Sequence, residues 1–154
     1  MARLSISVPL DVRLLDKGLS VGEALAAFNA AHGEAGGIVS FLGKVRPDGN
    51  VKALELSHYE PLTLPGMQEL TQEAQERFSL DGALVWHRVG VMAPGDVIVL
   101  VAAAARHRRD AFEAADFLMD HLKSAAWFWK RENRAGEWHW IEPRAEDHSD
   151  LARW

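Results

Sequence analysis

Apolar positions along this chain change period several times, and each change predicts an element. Arg3 to Val8 alternates as a strand, and a polar connection then runs to Ser20. Ser20 and Glu23 have the spacing of a capping box, so a helix is predicted from about Val21 to Ala31. Gly33, Gly36 and Gly37 end it and lead into a strand from Ile38 to Val45. Pro47-Asp48-Gly49-Asn50 is turn chemistry, after which Val51 to Tyr59 alternates as a returning antiparallel strand. Glu60 to Gly66 holds two prolines and reads as loop, while Met67 to Phe78 has helical spacing. Ala83 to Val91 is a further strand. Pro94-Gly95-Asp96 turns the chain into Val97 to Ala105, the most buried strand by composition. A long helix from Arg109 to Arg131, Gly136, and a short strand from about Trp138 to Glu142 follow. Pro143 to Trp154 is charged and reads as an irregular tail. Tight turns alternating with helical connections predict one α+β domain over residues 1–154, with a mostly antiparallel sheet and helices packed on it.

Within the long helix, Ala111, Phe112, Ala115, Leu118, Met119, Leu122 and Ala126 form one apolar stripe. Lys123 and Lys130, seven residues apart, fall two turns from each other along its margin. Arg106-His107-Arg108-Arg109 stands just before the helix. Two ammonium groups beside a basic turn have the makings of an anion site. The competing reading pairs Asp116 and Asp120 with Lys123 and Arg109 on a solvated face.

Composition narrows what such a site could do. The chain has 154 residues, 48% hydrophobic and 25% charged, as in ordinary globular proteins. A net charge of −5 argues against general nucleic-acid binding, so the basic cluster is local. With no cysteine there is no disulfide, thiolate metal site, cysteine nucleophile or persulfide carrier. No metal or cofactor is expected: the seven histidines lack ligand spacing, and His139 between Trp138 and Trp140 reads as structural. The nine-residue run from Val97 to Ala105 is too short to span a bilayer, and the N-terminus lacks a signal-peptide core, so the chain reads as cytosolic.

Three further features bear on the anion site. Arg46 ends a strand, and a guanidinium there matters if the sheet brings it near Arg108. His107 between arginines could donate to an anion or carry a proton. Trp127, Phe128 and Trp129 precede Lys130; desolvation by such rings, with neighbouring cations, lowers a lysine pKa toward values useful for proton transfer.

Taken in order, several segments resemble the molybdopterin synthase large (catalytic) subunit family. They are Val39 to Arg46, His58-Tyr59, His87-Arg88-Val89-Gly90, Pro94-Gly95-Asp96, His107-Arg108, Met119 to Lys123, Phe128 to Glu132 and Trp140 to Arg144. The resemblance implies an α/β-hammerhead fold and a homodimer within a heterotetramer. It also implies a small ubiquitin-like sulfur-carrier subunit whose C-terminal Gly-Gly, as a thiocarboxylate, delivers sulfur to cyclic pyranopterin monophosphate. Lys123 and Lys130 match catalytic lysines of the family. Arg46, His107 and Arg108 match substrate-pocket residues, Met119 an apolar wall, and Arg144 an arginine supplied by the neighbouring protomer. The alternative from another class is a non-catalytic protein of the same fold that holds a phosphorylated ligand or scaffolds a partner.

Overall fold

The structure, a computed structural model, describes residues 8–124 and 127–154. Its elements in chain order are β1 (Leu10–Leu15), α1 (Val21–Ala31), β2 (Gly37–Lys44), β3 (Val51–His58), α2 (Glu60–Phe78), β4 (Leu80–Arg88), β5 (Gly90–Met92), β6 (Val97–Ala105), α3 (Arg108–Ser124), β7 (Phe128–Arg134), β8 (Glu137–Ile141) and α4 (Ala145–Leu151). The strands form two four-stranded sheets, ordered β1-β4-β6-β2 and β5-β3-β7-β8. Among the described residues only the β1–β4 pairing is parallel. The fold is α+β with mostly antiparallel sheets.

β6 explains the first sheet. Its Val99, Val101, Ala103 and Ala105 join the core under α2 and α3, while Leu100, Ala102 and Ala104 join the core under α1. A strand covered on both faces needs a continuous apolar run rather than alternation, which is what Val97 to Ala105 provides. A third cluster of Val45, Leu54, Leu56, Met92 and Ile98, with Phe128 against it, lies under the second sheet.

Five expectations require correction. The strand expected at Arg3 to Val8 falls mostly outside the described residues; β1 instead occupies the stretch read as a connection, where Leu10, Val12 and Leu14 pack on the core. The Pro47 to Asn50 turn does not close a hairpin, because β2 pairs with β6 and β3 with β5 and β7. Glu60 to Gly66 is helical: the first proline sits where backbone N–H groups have no helical partner, and α2 accommodates Pro65 inside. At Gly66 a Cβ would stand 2.5 Å from the Trp127 ring, so glycine lets that indole close on the helix. The long helix ends at Ser124, and Phe128 to Arg134 is a strand. The tail carries α4, at whose start the Arg144 N–H donates to Asp147 Oδ2 at 3.2 Å and the Asp147 N–H donates to the Arg144 carbonyl at 3.1 Å.

Smaller differences follow. α1 spans Val21–Ala31, but the Ser20 side chain makes no capping bond. In the α3 stripe Phe112 is 59% exposed, whereas Ala114 and Phe117 are buried; Ala126 lies outside the described residues. Asp116 and Asp120 pair with Arg153 of the tail, at 3.0 and 2.6 Å, rather than with Lys123 and Arg109. Trp154 also donates its indole N–H to Asp120 at 2.6 Å and stands edge-on to Phe117. The tail is thereby fastened along α3. Among the described residues no helix is long and apolar enough to cross a membrane.

Candidate functional site

Where the two sheets meet the end of α3, the chain encloses an open cavity of about 550 Å³. Gly43 allows β2 to close on β6, since a Cβ there would meet Val99 Cγ1 at 2.6 Å. A register shift at Gly43/Lys44 then releases the strand, and Lys44 and Arg46 emerge on the cavity wall. α3 contributes Lys123 from its last turn. On β7 the alternation of a strand puts Phe128, Lys130, Glu132 and Arg134 on the cavity side, opposite Trp129 and Arg131. β4 brings His87, and the segment around the start of α4 brings Arg144 and Asp147. Val45, Leu54, Leu56 and Ile98 supply apolar floor from the third core cluster.

Six cationic side chains against four carboxylates line this space. Arg46 pairs with Asp48 at 3.6 Å, Arg134 with Glu132 at 2.8 Å and Arg144 with Asp147 at 3.6 Å. Among the described residues Lys44, Lys123 and Lys130 have no carboxylate within 4.0 Å. Lys123 is exposed on the open side of the cavity, and the walls around it replace part of its hydration and disfavour its charge. Its pKa is lowered first by that desolvation and then by Lys130, with smaller effects from Arg144 and Arg46, while Asp147 acts the other way. These are the conditions for a lysine that gives or takes a proton more readily than a surface one.

His87 is the other perturbed group. It is 7% exposed, stacks on Phe128 with ring centroids 4.0 Å apart, and its Nδ1 lies 2.9 Å from the Arg88 carbonyl. A carbonyl only accepts, so the hydrogen is assigned to Nδ1 and Nε2 keeps a lone pair. Burial lowers its pKa to about 4, against the opposing backbone hydrogen bond and aided by Lys123. The imidazole is neutral at physiological pH.

Of the residues singled out in the sequence, Arg46, Lys123, Lys130 and Arg144 share this cavity. The route by which Lys123 and Lys130 meet is not the one expected: a helix end and a strand converge, rather than two turns of one helix. His107 and Arg108 lie elsewhere, at the start of α3 beside Gly37. The 15 residues from Arg108 to Lys123 span about 22 Å of helix, so Arg46, His107 and Arg108 do not converge within one chain. Met119 is a turn before Lys123 and packs on the main core without lining the cavity. Arg144, which the resemblance assigns to the neighbouring protomer's site, pairs with Asp147 and lines its own chain's cavity. Lys44, His87 and Asp147 are not among the site residues named from the sequence, although Lys44 and His87 fall in segments that carry the resemblance. His87 is legible as a polar position directly after the apolar run Ala83 to Trp86, and Asp147 as an acid three residues after Arg144.

Known proteins are similar over most of this length. The family model described as MoaE protein matches residues 14–125. The molybdopterin synthase catalytic subunit of Caulobacter vibrioides is 46% identical over 144 residues, covering 93% of this chain and 96% of the relative. That of Ralstonia nicotianae is 42% identical over 146 residues, covering 93% and 83%. The molybdopterin biosynthesis MoaE protein of Burkholderia ambifaria superposes with a TM-score of 0.81 at 36% identity, covering 94% of this chain and 97% of that one. A Helicobacter pylori structure, titled a complex of subunits 1 and 2 of molybdopterin-converting factor, shares the fold with a TM-score of 0.73 at 20% identity, covering 86% and 91%.

Proposed function

The chain belongs to the MoaE family of molybdopterin synthase catalytic subunits, and from that premise we propose that its cavity transfers sulfur to cyclic pyranopterin monophosphate. The donor is the thiocarboxylated Gly-Gly end of a small ubiquitin-like carrier; two carriers each give up one sulfur and leave as carboxylates, with water supplying the oxygen, and the product is the dithiolene of molybdopterin. The observation that carries this reading is the set of unpaired lysines, Lys44, Lys123 and Lys130, on an apolar floor, with the pKa of Lys123 lowered. A thiocarboxylate and a phosphate are both anions, and cations in a partly desolvated cavity hold them and offset charge that builds up as sulfur attacks.

In this reading Lys123 is the catalytic group that exchanges a proton beside the reacting carbons, and Lys130 assists as a second ammonium and lowers the pKa of the first. Arg46 and Arg144 bind substrate oxygens, their present partners Asp48 and Asp147 being single carboxylates at 3.6 Å that leave donors free. Met119, a turn from Lys123, acts as apolar support for that end of α3. His107 and Arg108 bind substrate only from a second copy of the chain, given their distance along α3. The absence of cysteine fits a reaction whose sulfur arrives on a partner. The test is reconstitution: the protein mixed with thiocarboxylated carrier and the pyranopterin forms molybdopterin. Tight binding of both without product would leave the non-catalytic reading.

A further inference from the structure

The last helix of the chain is tied to the cavity through one carboxylate. The Asp147 side chain is 15% exposed; Oδ2 accepts from the Arg144 backbone N–H at 3.2 Å, and Oδ1 stands 3.6 Å from the Arg144 guanidinium. Its own carbonyl accepts from Ser124 Oγ at 3.0 Å, and Ser124 follows Lys123 directly. A second set of bonds holds the far end of the same segment. Arg153 reaches Asp116 and Asp120, Trp154 Nε1 donates to Asp120, and the Trp154 ring stands edge-on to Phe78 and Phe117. The segment from Arg144 to Trp154 is therefore a strap along α3, and Arg144 and Asp147 are where it lines the cavity.

We propose that Asp147 is a positioning residue of the reaction: it holds Arg144 at the cavity wall and sets the charge environment of Lys123. This deepens the preceding assignment and rests on Lys123 being catalytic. Of the groups that act on Lys123, Lys130 on β7, Arg144 before α4 and Arg46 after β2 are cationic and oppose its charge, and neighbouring His87 on β4 is neutral. Asp147 is the anion among them, and its negative charge favours the protonated lysine. It makes no direct ion pair with Lys123 within 4.0 Å, so it supports the ammonium without immobilising it. The division of labour follows: the cations hold anionic substrate, and Asp147 keeps them from driving the proton off Lys123 before substrate binds.

The sign of the effect is fixed. Asp147 acts on Lys123 more strongly than Arg144 does, so removing its charge lowers the pKa of Lys123 further even where Arg144 loosens, and whichever limb of the pH–rate profile reports that lysine moves to lower pH. Asp147→Asn keeps the size of the side chain, and Asp147→Glu keeps the charge. The direct readout is a titration of the Lys123 side chain by NMR on ¹³C-lysine-labelled full-length protein, assigned by its loss in Lys123→Met. The proposal expects the Lys123 midpoint to move down in Asp147→Asn and to recover in Asp147→Glu. With carrier and pyranopterin, Asp147→Asn raises KM about tenfold through a loosened Arg144 and shifts the pH profile with the NMR midpoint. An unchanged Lys123 midpoint in a folded Asp147→Asn protein overturns the proposal. If the midpoint moves and Lys123→Met turns over normally, the electrostatic coupling stands and the catalytic assignment of Lys123 fails instead.

Discussion

Lys123 owes its character to its neighbours more than to its exposure. An ordinary surface lysine keeps a pKa near 10.5; here partial desolvation and Lys130 push it down together. The sequence shows both lysines but not the reason they meet, because seven-residue spacing within one helix and convergence of two elements look alike in one dimension. His87 is the residue whose environment makes the sharpest thermodynamic statement. In the unfolded chain its pKa is near 6.5, and in the folded chain about 4. Below 6.5 the unfolded state binds a proton that the folded state refuses, so stability is lost as pH falls from 6.5 toward 4, by about 3 kcal/mol from this group. Urea denaturation at pH 7 and pH 4.5 should therefore show a steeper acid loss in the native protein than in His87→Gln. Equal slopes would mean that the buried imidazole does not titrate as its burial demands.

Elements were legible where one period ran unbroken. α1 and β6 lie close to where the pattern puts them, because helix formers in one case and a nine-residue apolar run in the other leave no competing choice. β7 was misread because Ala125 to Trp129 continues the composition of α3, while its pairing with β3, Leu56 opposite Lys130 and His58 opposite Phe128, is long-range and invisible locally. The start of α2 reads as loop for the opposite reason: proline signals a break, yet Pro61 falls in the first turn and Pro65 is accommodated inside the helix. That helix carries a testable constraint. With Trp127 2.5 Å from a Cβ at Gly66, Gly66→Ala should cost about 1–3 kcal/mol by overpacking, despite the better helix propensity of alanine. A thermal melt that rises in Gly66→Ala would show that the Trp127 contact yields without strain.

At the scale of the molecule, the α+β class and most strands followed from the sequence, while the partition into two sheets did not, since Pro47 to Asn50 looks like a hairpin turn and instead crosses between sheets. The same partition creates the cavity, so Arg46, Lys123, Lys130 and Arg144 could be named from the sequence while their meeting place could not. It also leaves His107 and Arg108 at the opposite end of α3, which makes a second copy of the chain a condition for their use. Mixing Arg108→Ala with Lys123→Ala tests this: a mixed dimer holds one site with both lesions and one with neither, and activity should partly return. Exchange of subunits without recovery would place Arg108 outside the site. The claim on which the account turns is that Lys123 in this cavity carries the sulfur transfer. The most direct measurement follows the intact mass of thiocarboxylated carrier during reaction with pyranopterin, alongside molybdopterin formation. The native protein should convert thiocarboxylate to carboxylate as product appears, and Lys123→Ala, folded and still binding carrier, should slow this about 10²–10⁴-fold. Unchanged conversion by Lys123→Ala would contradict the account.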